Sequence, residues 1–371
     1  MAGRVSLARK NLFQDHRRAA LAIFGIGAAL LLVLILDGVV AGAMRQVTSY
    51  MRNSPADAFV SQKDVRTLHM SQSVVPPETV VAAAAVDGVA WAEGLRYAGG
   101  IVEAPGGGRR FTYVLGYDTA TGRGGPSRIA TGRAPGTDEV LVDKTAADEL
   151  GLRVGDTAIV LGEPFVVSGL SGDGTSIANT TVFIRSEDFA RLRGPSVAYV
   201  LVGAQPDVSA AELVTRLAAA LPGFTVQTRA EFATQEANLV RDMAADIMRI
   251  MSIIGFLIAL AVVGLTLFAT TLSKLREYGI VKALGGGSAR LAATVAAQAG
   301  WSVALGLGVA VTLAFVLGAA ISALTPNLDV VIGIGSVART GLGALVVGGV
   351  AALLPLRRVV QVDPATAFRR P

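Results

Sequence analysis

Long apolar runs separated by polar stretches dominate the pattern of this 371-residue chain. A transmembrane helix needs about 20 predominantly apolar residues, and four runs are long enough: residues 19–44, 246–270, 292–324 and 338–356. The first run follows a basic segment, as the core of a signal peptide would, but such a core has only roughly 7–15 apolar residues. We therefore interpret all four runs as retained membrane spans.

Residues 45–245, which separate the first run from the second, follow the pattern of a folded α/β domain. Stretches rich in Val, Ile, Phe and Tyr between Gly and Pro residues are typical of strands, and apolar residues three or four apart are typical of helices. The predicted strands are 58–61, 111–116, 139–142, 157–161, 164–170, 181–184 and 198–202, and the predicted helices are 77–86, 144–150, 186–192 and 209–221. The predicted fold class is therefore an α-helical membrane protein with four transmembrane helices and a mixed α/β domain between the first and second spans.

Two of the predicted helices begin with a serine, a residue that is typical of N-caps. Ser186 is followed by Glu187 and Asp188, whose charges suit the positive end of the helix dipole. Ser209 is followed three residues later by Glu212, which is the spacing of a capping box. We expect both serines to be N-caps.

Residues 230–250, where the α/β domain meets the second span, have an amphipathic pattern and contain no Gly or Pro. Glu236 falls on its apolar face and weakens the pattern there. A polar-faced helix fused to a membrane helix predicts a stalk between the domain and the bilayer, and residues 45–51 would be its counterpart after the first span. The apolar positions at helical spacing are Phe232, Leu239, Met243, Ile247 and Ile250.

Basic residues indicate which side of the membrane each connecting segment occupies. Cytoplasmic loops are enriched in Lys and Arg, and about thirteen of them fall within residues 1–18, 271–291 and 357–371. The short segment 325–337 contains none. We therefore expect both termini and residues 271–291, which we call the elbow, to be cytoplasmic, and residues 45–245 to be extracytoplasmic.

The basic segment 1–18 has apolar residues at helical spacing, namely Val5, Ala8 and Leu12. This pattern predicts an amphipathic helix on the inner membrane surface, and a disordered basic tail is the alternative. The net charge of +5 does not indicate nucleic-acid binding, because the basic residues cluster beside the apolar runs, where anionic lipids attract them.

Residues that could carry catalysis are scarce. The chain has no cysteine, so it has no disulfide framework, thiol nucleophile or thiolate metal site. It has no G-x-x-x-x-G-K-[ST] phosphate loop, and its histidines, His16 and His69, are isolated in the sequence. Asp37 lies inside the first run, at a depth where the outer headgroups would solvate it. We expect no enzyme activity, no cofactor and no metal in this chain.

Three motifs resemble the FtsX/MacB-like permeases of mechanotransmitting (type VII) ABC transporters. Residues 276–285, R-E-Y-G-I-V-K-A-L-G, are similar to that family's R-E-[IFY]-G-[IV]-x-[KR]-A-[LIM]-G-A, and Gly286 stands where the family often has Ala. Residues 138–156 resemble the E-V-[LV]-[LV]…L-G-[LV]-x-V-G-D segment of its outer domain, and residues 362–369 resemble its closing V-D-P-x-x-A-[LF]-R. Residues 54–60, S-P-A-D-A-F-V, resemble the glycolipid-exporter (DevC-like) branch more than the macrolide-exporter branch.

The resemblance implies a homodimer in a bacterial plasma (inner) membrane, with a MacB periplasmic core-like outer domain. It also implies a separately encoded dimeric ABC ATPase, which would bind ATP and Mg²⁺ and dock on the elbow. A fused ATPase domain is not expected, because the first span begins about 18 residues after Met1. Membrane lipids and a periplasmic adaptor or hydrolase are further expected partners, and nucleic acid is not. The elbow residues that the family motif assigns to ATPase coupling are Arg276, Glu277, Tyr278, Gly279, Val281, Lys282, Ala283, Leu284 and Gly285.

An ordinary positive-inside loop would explain the basic residues of the elbow equally well. It would not require Glu277, Gly279 or Ala283, which favours docking. Three functional classes stay open: an exporter or extractor of a lipid, glycolipid, peptide or lipoprotein; a non-transporting FtsX-like permease that regulates a cell-wall hydrolase; and a sensor of antimicrobial peptides. The sensor branch usually has about ten spans, so four predicted spans argue against it.

Overall fold

The computed structural model describes residues 16–69, 71–172, 180–284, 287–325 and 328–360. The chain divides into two compact units. We call Gly42–Met243, together with Thr325–Leu328, the sheet domain, and we call the remaining residues the helical unit. The described residues do not include most of the amphipathic helix predicted over 1–18, Gly285 of the elbow, or the tail beyond Val360 with its closing motif.

Within the described residues, helices and strands alternate along the sheet domain and long helices make up the helical unit. The helices are α1 (His16–Val47), α2 (Ser49–Asn53), α3 (Glu78–Ala84), α4 (Lys144–Leu150), α5 (Ser186–Arg193), α6 (Ala210–Ala220), α7 (Arg229–Ser273), α8 (Leu275–Ala283), α9 (Ser288–Leu324) and α10 (Ile334–Val360). The strands are β1 (Ala58–Gln62), β2 (Val89–Glu103), β3 (Arg109–Tyr117), β4 (Ile129–Gly132), β5 (Glu139–Asp143), β6 (Thr157–Val160), β7 (Glu163–Ser171), β8 (Thr180–Arg185), β9 (Tyr199–Ala204) and β10 (Phe224–Thr228).

Four helices in the described part of the chain, α1, α7, α9 and α10, are long and apolar enough to cross a membrane. Small residues let them approach closely, as is common between membrane helices. A Cβ at Gly306 would meet Ile26, and one at Gly343 would meet the ring of Phe256. With the mixed α/β domain between α1 and α7, the predicted fold class is confirmed.

Six strands of the sheet domain close into a ring in the order β2–β3–β8–β5–β7–β6. Two residue pairs between β2 and β6, Val102 with Val160 and Glu103 with Ile159, complete it. Each strand of this ring therefore has a partner on both sides, and β4 pairs with β7 as an exposed edge strand. The fully or almost fully buried side chains of its core include Val102, Val114, Val140, Val142, Val160, Phe165, Val167, Val182 and Ile184.

The strands β5 and β8 are buried on both faces, which explains their continuous apolar runs. Alternate residues point to opposite faces of a strand. Val140 and Val142 therefore fill the ring, whereas Leu141 between them belongs to a second core. Phe183 of β8 lies on the same face as Leu141. This second core also contains the first residues of α7, so the start of the predicted stalk is part of the sheet domain.

The other half of the sheet has the order β10–β1–β9–β2 and carries α3 and α6. The helix α6 begins where Ser209 accepts a hydrogen bond from the backbone N–H of Glu212 (3.3 Å), so this predicted N-cap is confirmed. The prediction for Ser186 is wrong, because the N-cap position of α5 is Arg185. The Ser186 hydroxyl instead accepts a hydrogen bond from Arg96, far away in sequence.

Candidate functional site

The elbow contains a short helix, α8, which follows α7 after a break of one residue at Lys274. The backbone there leaves helical geometry (φ −109°, ψ 7°), yet the Tyr278 N–H still bonds to the Lys274 carbonyl oxygen (3.0 Å). Helical hydrogen bonding therefore continues past the break. The elbow is therefore a helical extension of α7.

Five of the predicted coupling residues are exposed on the helical unit. Leu284 is 84% exposed, and Val281 is 38% exposed. They lie beside charged and small side chains, so the elbow presents apolar area next to a carboxylate and a guanidinium. The exposed set is Arg276, Glu277, Val281, Ala283 and Leu284.

The other described coupling residues are turned inward or engaged within the chain. Tyr278 is 4% exposed and packs in one cluster with Leu291, Val295 and Leu356. Burial raises the pKa of its phenol above the ordinary value of 10.0, and the neighbouring carboxylate of Glu277 adds to the shift. These contacts hold α8 against α9 and α10.

Two neighbours of Tyr278 in the motif complete this inner side of the elbow. Gly279 is buried. The Lys282 ammonium group donates a 2.7 Å hydrogen bond to the carbonyl oxygen of Val360, at the end of α10. The last carbonyls of a helix lack partners within the helix, so a lysine there stabilises the helix end. Tyr278, Gly279 and Lys282 thus position the elbow from within, while the assignment of the exposed set to ATPase docking stays a prediction.

The opposite end of α7 is anchored in the second core of the sheet domain. The Phe232 ring is 1% exposed and stacks on the Phe59 ring, with 4.9 Å between ring centroids. It also contacts Tyr199 at 5.6 Å. At the start of the helix, the backbone N–H of Arg229 bonds to the Asp57 carbonyl oxygen (3.0 Å). One 45-residue helix thus carries both the domain anchor and, after Lys274, the elbow.

His69, which is isolated in the sequence, has a partner in the folded sheet domain. Its Nδ1 lies 2.7 Å from a carboxylate oxygen of Glu236, which is completely buried. Glu236 interrupts the apolar face that the sequence predicts for the stalk. It can be buried on that face because Leu68 and His69 of the sheet domain donate hydrogen bonds to its carboxylate. A separation of 167 residues conceals the pair in the sequence.

A small pocket adjoins this pair within the sheet domain. Its lining includes Gln46 at the end of α1, Tyr50 in α2, His69, and the loop at Gly124. The Tyr50 hydroxyl donates a 2.8 Å hydrogen bond to the Gly124 carbonyl oxygen, and burial raises the pKa of Tyr50 above 10.0. The counterpart of the stalk after the first span is therefore also held by the sheet domain.

Asp37 has a partner that the sequence pattern did not reveal. Its carboxylate lies 3.0 Å from the guanidinium of Arg339, near the start of α10. A carboxylate within an apolar run is costly unless it is solvated or paired, and this ion pair supplies part of that compensation.

The described residues contain no group of three or more His, Asp or Glu side chains that could hold a metal ion.

Two family models together match most of the chain. A family model described as the MacB-like periplasmic core domain matches residues 19–220, and one described as the FtsX-like permease C-terminal matches residues 249–364. The chain is similar to an uncharacterized ABC transporter permease of Mycobacterium bovis, with 28% identity over 98% of this chain and 99% of the relative. It is also similar to one of Mycobacterium tuberculosis, with 27% identity over 98% and 99%.

Among solved structures, the periplasmic region of MacB from Actinobacillus actinomycetemcomitans is similar, with 13% identity and a TM-score of 0.39. That similarity covers 50% of this chain and 94% of the MacB region. The family assignment rests on the two sequence models, the first of which alone matches more than half of the 371 residues. The chain is a membrane protein, and it belongs to the FtsX/MacB-like family of ABC transporter permeases.

Proposed function

We propose that the chain is the permease subunit that couples ATP hydrolysis by a separate ABC ATPase to motion of the sheet domain. The ATPase dimer binds ATP and Mg²⁺ and docks on the elbow, and the motion drives export or extraction of a lipid, glycolipid, peptide or lipoprotein. The helical unit lies in a bacterial inner membrane, with the termini and the elbow in the cytoplasm and the sheet domain outside. Two copies of the chain form the working unit.

The observation that carries this proposal is the continuity of α7. The helix has 45 residues, which corresponds to roughly 67 Å at 1.5 Å per residue. One end is fixed by the buried Phe232 and Glu236, and the other leads through Lys274 into the elbow. A helix of this length bends only gently unless Pro, Gly pairs or bulges interrupt it. Movement imposed on the elbow is therefore carried along α7 to the sheet domain.

The exposed apolar side of α7 supports pairing with a second copy. Met243, Ile247 and Ile250 belong to the predicted apolar face and are 65%, 57% and 56% exposed in the single chain. The same face is buried at Phe232, where the sheet domain covers it. Exposed apolar residues at helical spacing are typical of a helix that packs against another helix. A second α7 would cover them.

Substitutions on the exposed side of the elbow test the docking proposal. Glu277→Lys reverses an exposed charge, and Ala283→Trp adds bulk at an exposed small residue. We expect both variants to be produced at wild-type levels but to bind the co-expressed ATPase about tenfold more weakly or worse, as substitutions at interface hot spots do. The vanadate-sensitive ATP hydrolysis that remains in the purified complex should then no longer drive export or extraction.

Ala289→Trp is the matched control, because Ala289 is an exposed alanine in the first turn of α9, outside the family motif. It should retain wild-type binding and ATP hydrolysis. Wild-type behaviour of both Glu277→Lys and Ala283→Trp would remove the motif residues 276–285 as the docking site. Equal loss with Ala289→Trp would show that the effect is not specific to the motif residues 276–285.

A further inference from the structure

We propose that Glu236 is a positioning residue that ties α7 to residues 67–69 of the sheet domain, and that it thereby couples the His69 pocket to the position of α7. This inference rests on the proposed function and specifies where the motion of α7 enters the sheet domain. It concerns contacts within the sheet domain only. The Glu236 carboxylate connects the helix α7 to the loop after β1 through hydrogen bonds.

Glu236 uses both carboxylate oxygens to hold this loop. One oxygen, Oε2, accepts a hydrogen bond from the backbone N–H of Leu68 at 2.7 Å. The other, Oε1, accepts one from the backbone N–H of His69 at 3.1 Å and one from the His69 ring at 2.7 Å. Because a carboxylate only accepts hydrogen bonds, the His69 ring is the donor in this contact and Nδ1 carries the hydrogen atom. Hydrogen bonds to an ionised group are about twice as strong as neutral ones.

The loop is held on its other side by aromatic residues of the sheet. The Tyr199 hydroxyl donates a 2.8 Å hydrogen bond to the Thr67 carbonyl oxygen. The His69 ring meets the Tyr113 ring edge-on at 4.9 Å, and Tyr113 stacks on Tyr97 at 5.1 Å. Residues 67–69 thus lie between the helix α7 and an aromatic cluster of the sheet.

The chemistry of Glu236 makes this contact sensitive to displacement. Its side chain is completely buried, and a buried charge that loses its hydrogen-bond partners is strongly destabilised. A shift of α7 therefore either moves residues 67–69 with it or breaks all three hydrogen bonds together. Since His69 also lines the small pocket with Gln46 and Tyr50, the same shift changes the shape of that pocket.

The substitution Glu236→Gln tests the proposal with almost no change in size. One oxygen becomes an NH₂ group, which must then face a backbone N–H that donates to the carboxylate in the wild type. The full chain in complex with its ATPase is compared with and without ATP and vanadate by hydrogen exchange. Asp242→Asn is the matched control, because Asp242 is an exposed carboxylate on the same helix.

In the wild type, we expect nucleotide to change exchange in peptides that contain residues 66–69. In Glu236→Gln, the amides of Leu68 and His69 should exchange about tenfold faster or more. The nucleotide-dependent change at these residues should disappear, while ATP hydrolysis and the protection of β5 and β8 stay at wild-type values. The control should behave as wild type. A merely structural role would lower protection throughout the sheet instead.

The variant His69→Ala keeps the two backbone hydrogen bonds and removes the ring, so it serves if Glu236→Gln fails to fold. It should retain a reduced nucleotide-dependent change at residues 66–68. A full nucleotide response in either folded variant would overturn the proposal for Glu236. If the wild-type complex hydrolyses ATP but shows no response in the sheet domain at all, the proposed coupling function itself fails.

Discussion

The anchor of α7 in the sheet domain can be tested by removing the Phe232 ring. This side chain is 1% exposed and lies between the rings of Phe59 and Tyr199. Phe→Ala substitutions in cores cost about 3–5 kcal/mol, made up of lost transfer free energy and the cavity left behind. The upper part of that range applies here because two large rings border the cavity and cannot both collapse into it.

The free energy to be measured is that of opening the sheet domain in the full chain, from hydrogen exchange of the most protected amides in β5 and β8. Phe232→Ala should lower it by about 4 kcal/mol. Phe111→Ala is the control, since Phe111 belongs to the same domain but is 49% exposed. The control should cost about half as much or less, because only the buried part of the ring loses its contacts.

Equal losses for the two variants would refute the reasoning. They would mean that the start of α7 is no more a part of the sheet-domain core than an exposed ring on β3. A loss in Phe232→Ala that is confined to the amides of α7, without any change in β5 or β8, would contradict it in the same way. The second core would then not link the helix to the sheet.

Two further predictions concern the sheet domain alone. Gly132→Ala should destabilise it by about 3 kcal/mol or more, because the new Cβ would collide with the Ser168 carbonyl oxygen; Gly107→Ala, at a similar φ (82° against 81°) but with open space, should cost only about 1 kcal/mol. Equal losses by hydrogen exchange would contradict the steric argument. Hydrogen bonds from the Arg133 guanidinium lower the pKa of Glu139 below its ordinary 4.5, so their contribution to stability is present above pH 4.5 and is lost as the pH falls through the folded-state pKa. Arg133→Gln should therefore lower the melting temperature at pH 7 but not at about pH 3, and a pH-independent difference would contradict this.

The features that sequence reasoning predicted best are those encoded by local pattern. The apolar runs predict the four long helices, because a span needs only length and hydrophobicity. Strands β5 and β8 were predicted as strands because both of their faces are buried and their buried side chains are mainly Val, Ile, Leu and Phe. The family motif in the elbow indicated the segment between α7 and α9, although it did not separate the exposed residues from Tyr278 and Gly279.

The longest strand, β2, was missed for a physical reason. Its sequence, V-A-W-A-E-G-L-R-Y-A-G-G-I-V-E, has neither strict alternation nor a continuous apolar run. The strand changes partners along its length: Val89–Leu95 pairs with β9, and Arg96–Glu103 pairs with β3. The two halves of β2 therefore bury side chains in different patterns, and no single spacing of apolar residues describes the whole strand.

The pair of Glu236 and His69 marks the limit of reasoning from sequence in the candidate site. On the helix alone, Glu236 is a defect in an apolar face, and His69 is a lone histidine in a loop. Only the folded sheet brings residues 67–69 to α7, across 167 positions of sequence. A polar residue on an apolar helix face is thus a reason to look for a distant partner, since buried charges are paired or hydrogen-bonded.

The most direct test of coupling between ATP hydrolysis and the sheet domain is a distance between two copies of that domain. The chain has no cysteine, so Lys63→Cys, at an exposed position after β1, introduces a single spin-label site per copy. We predict that electron-electron double resonance on the complex in lipid nanodiscs gives one distance without nucleotide and a distinct one with ATP and vanadate. An unchanged distance in a complex that hydrolyses ATP would contradict the account.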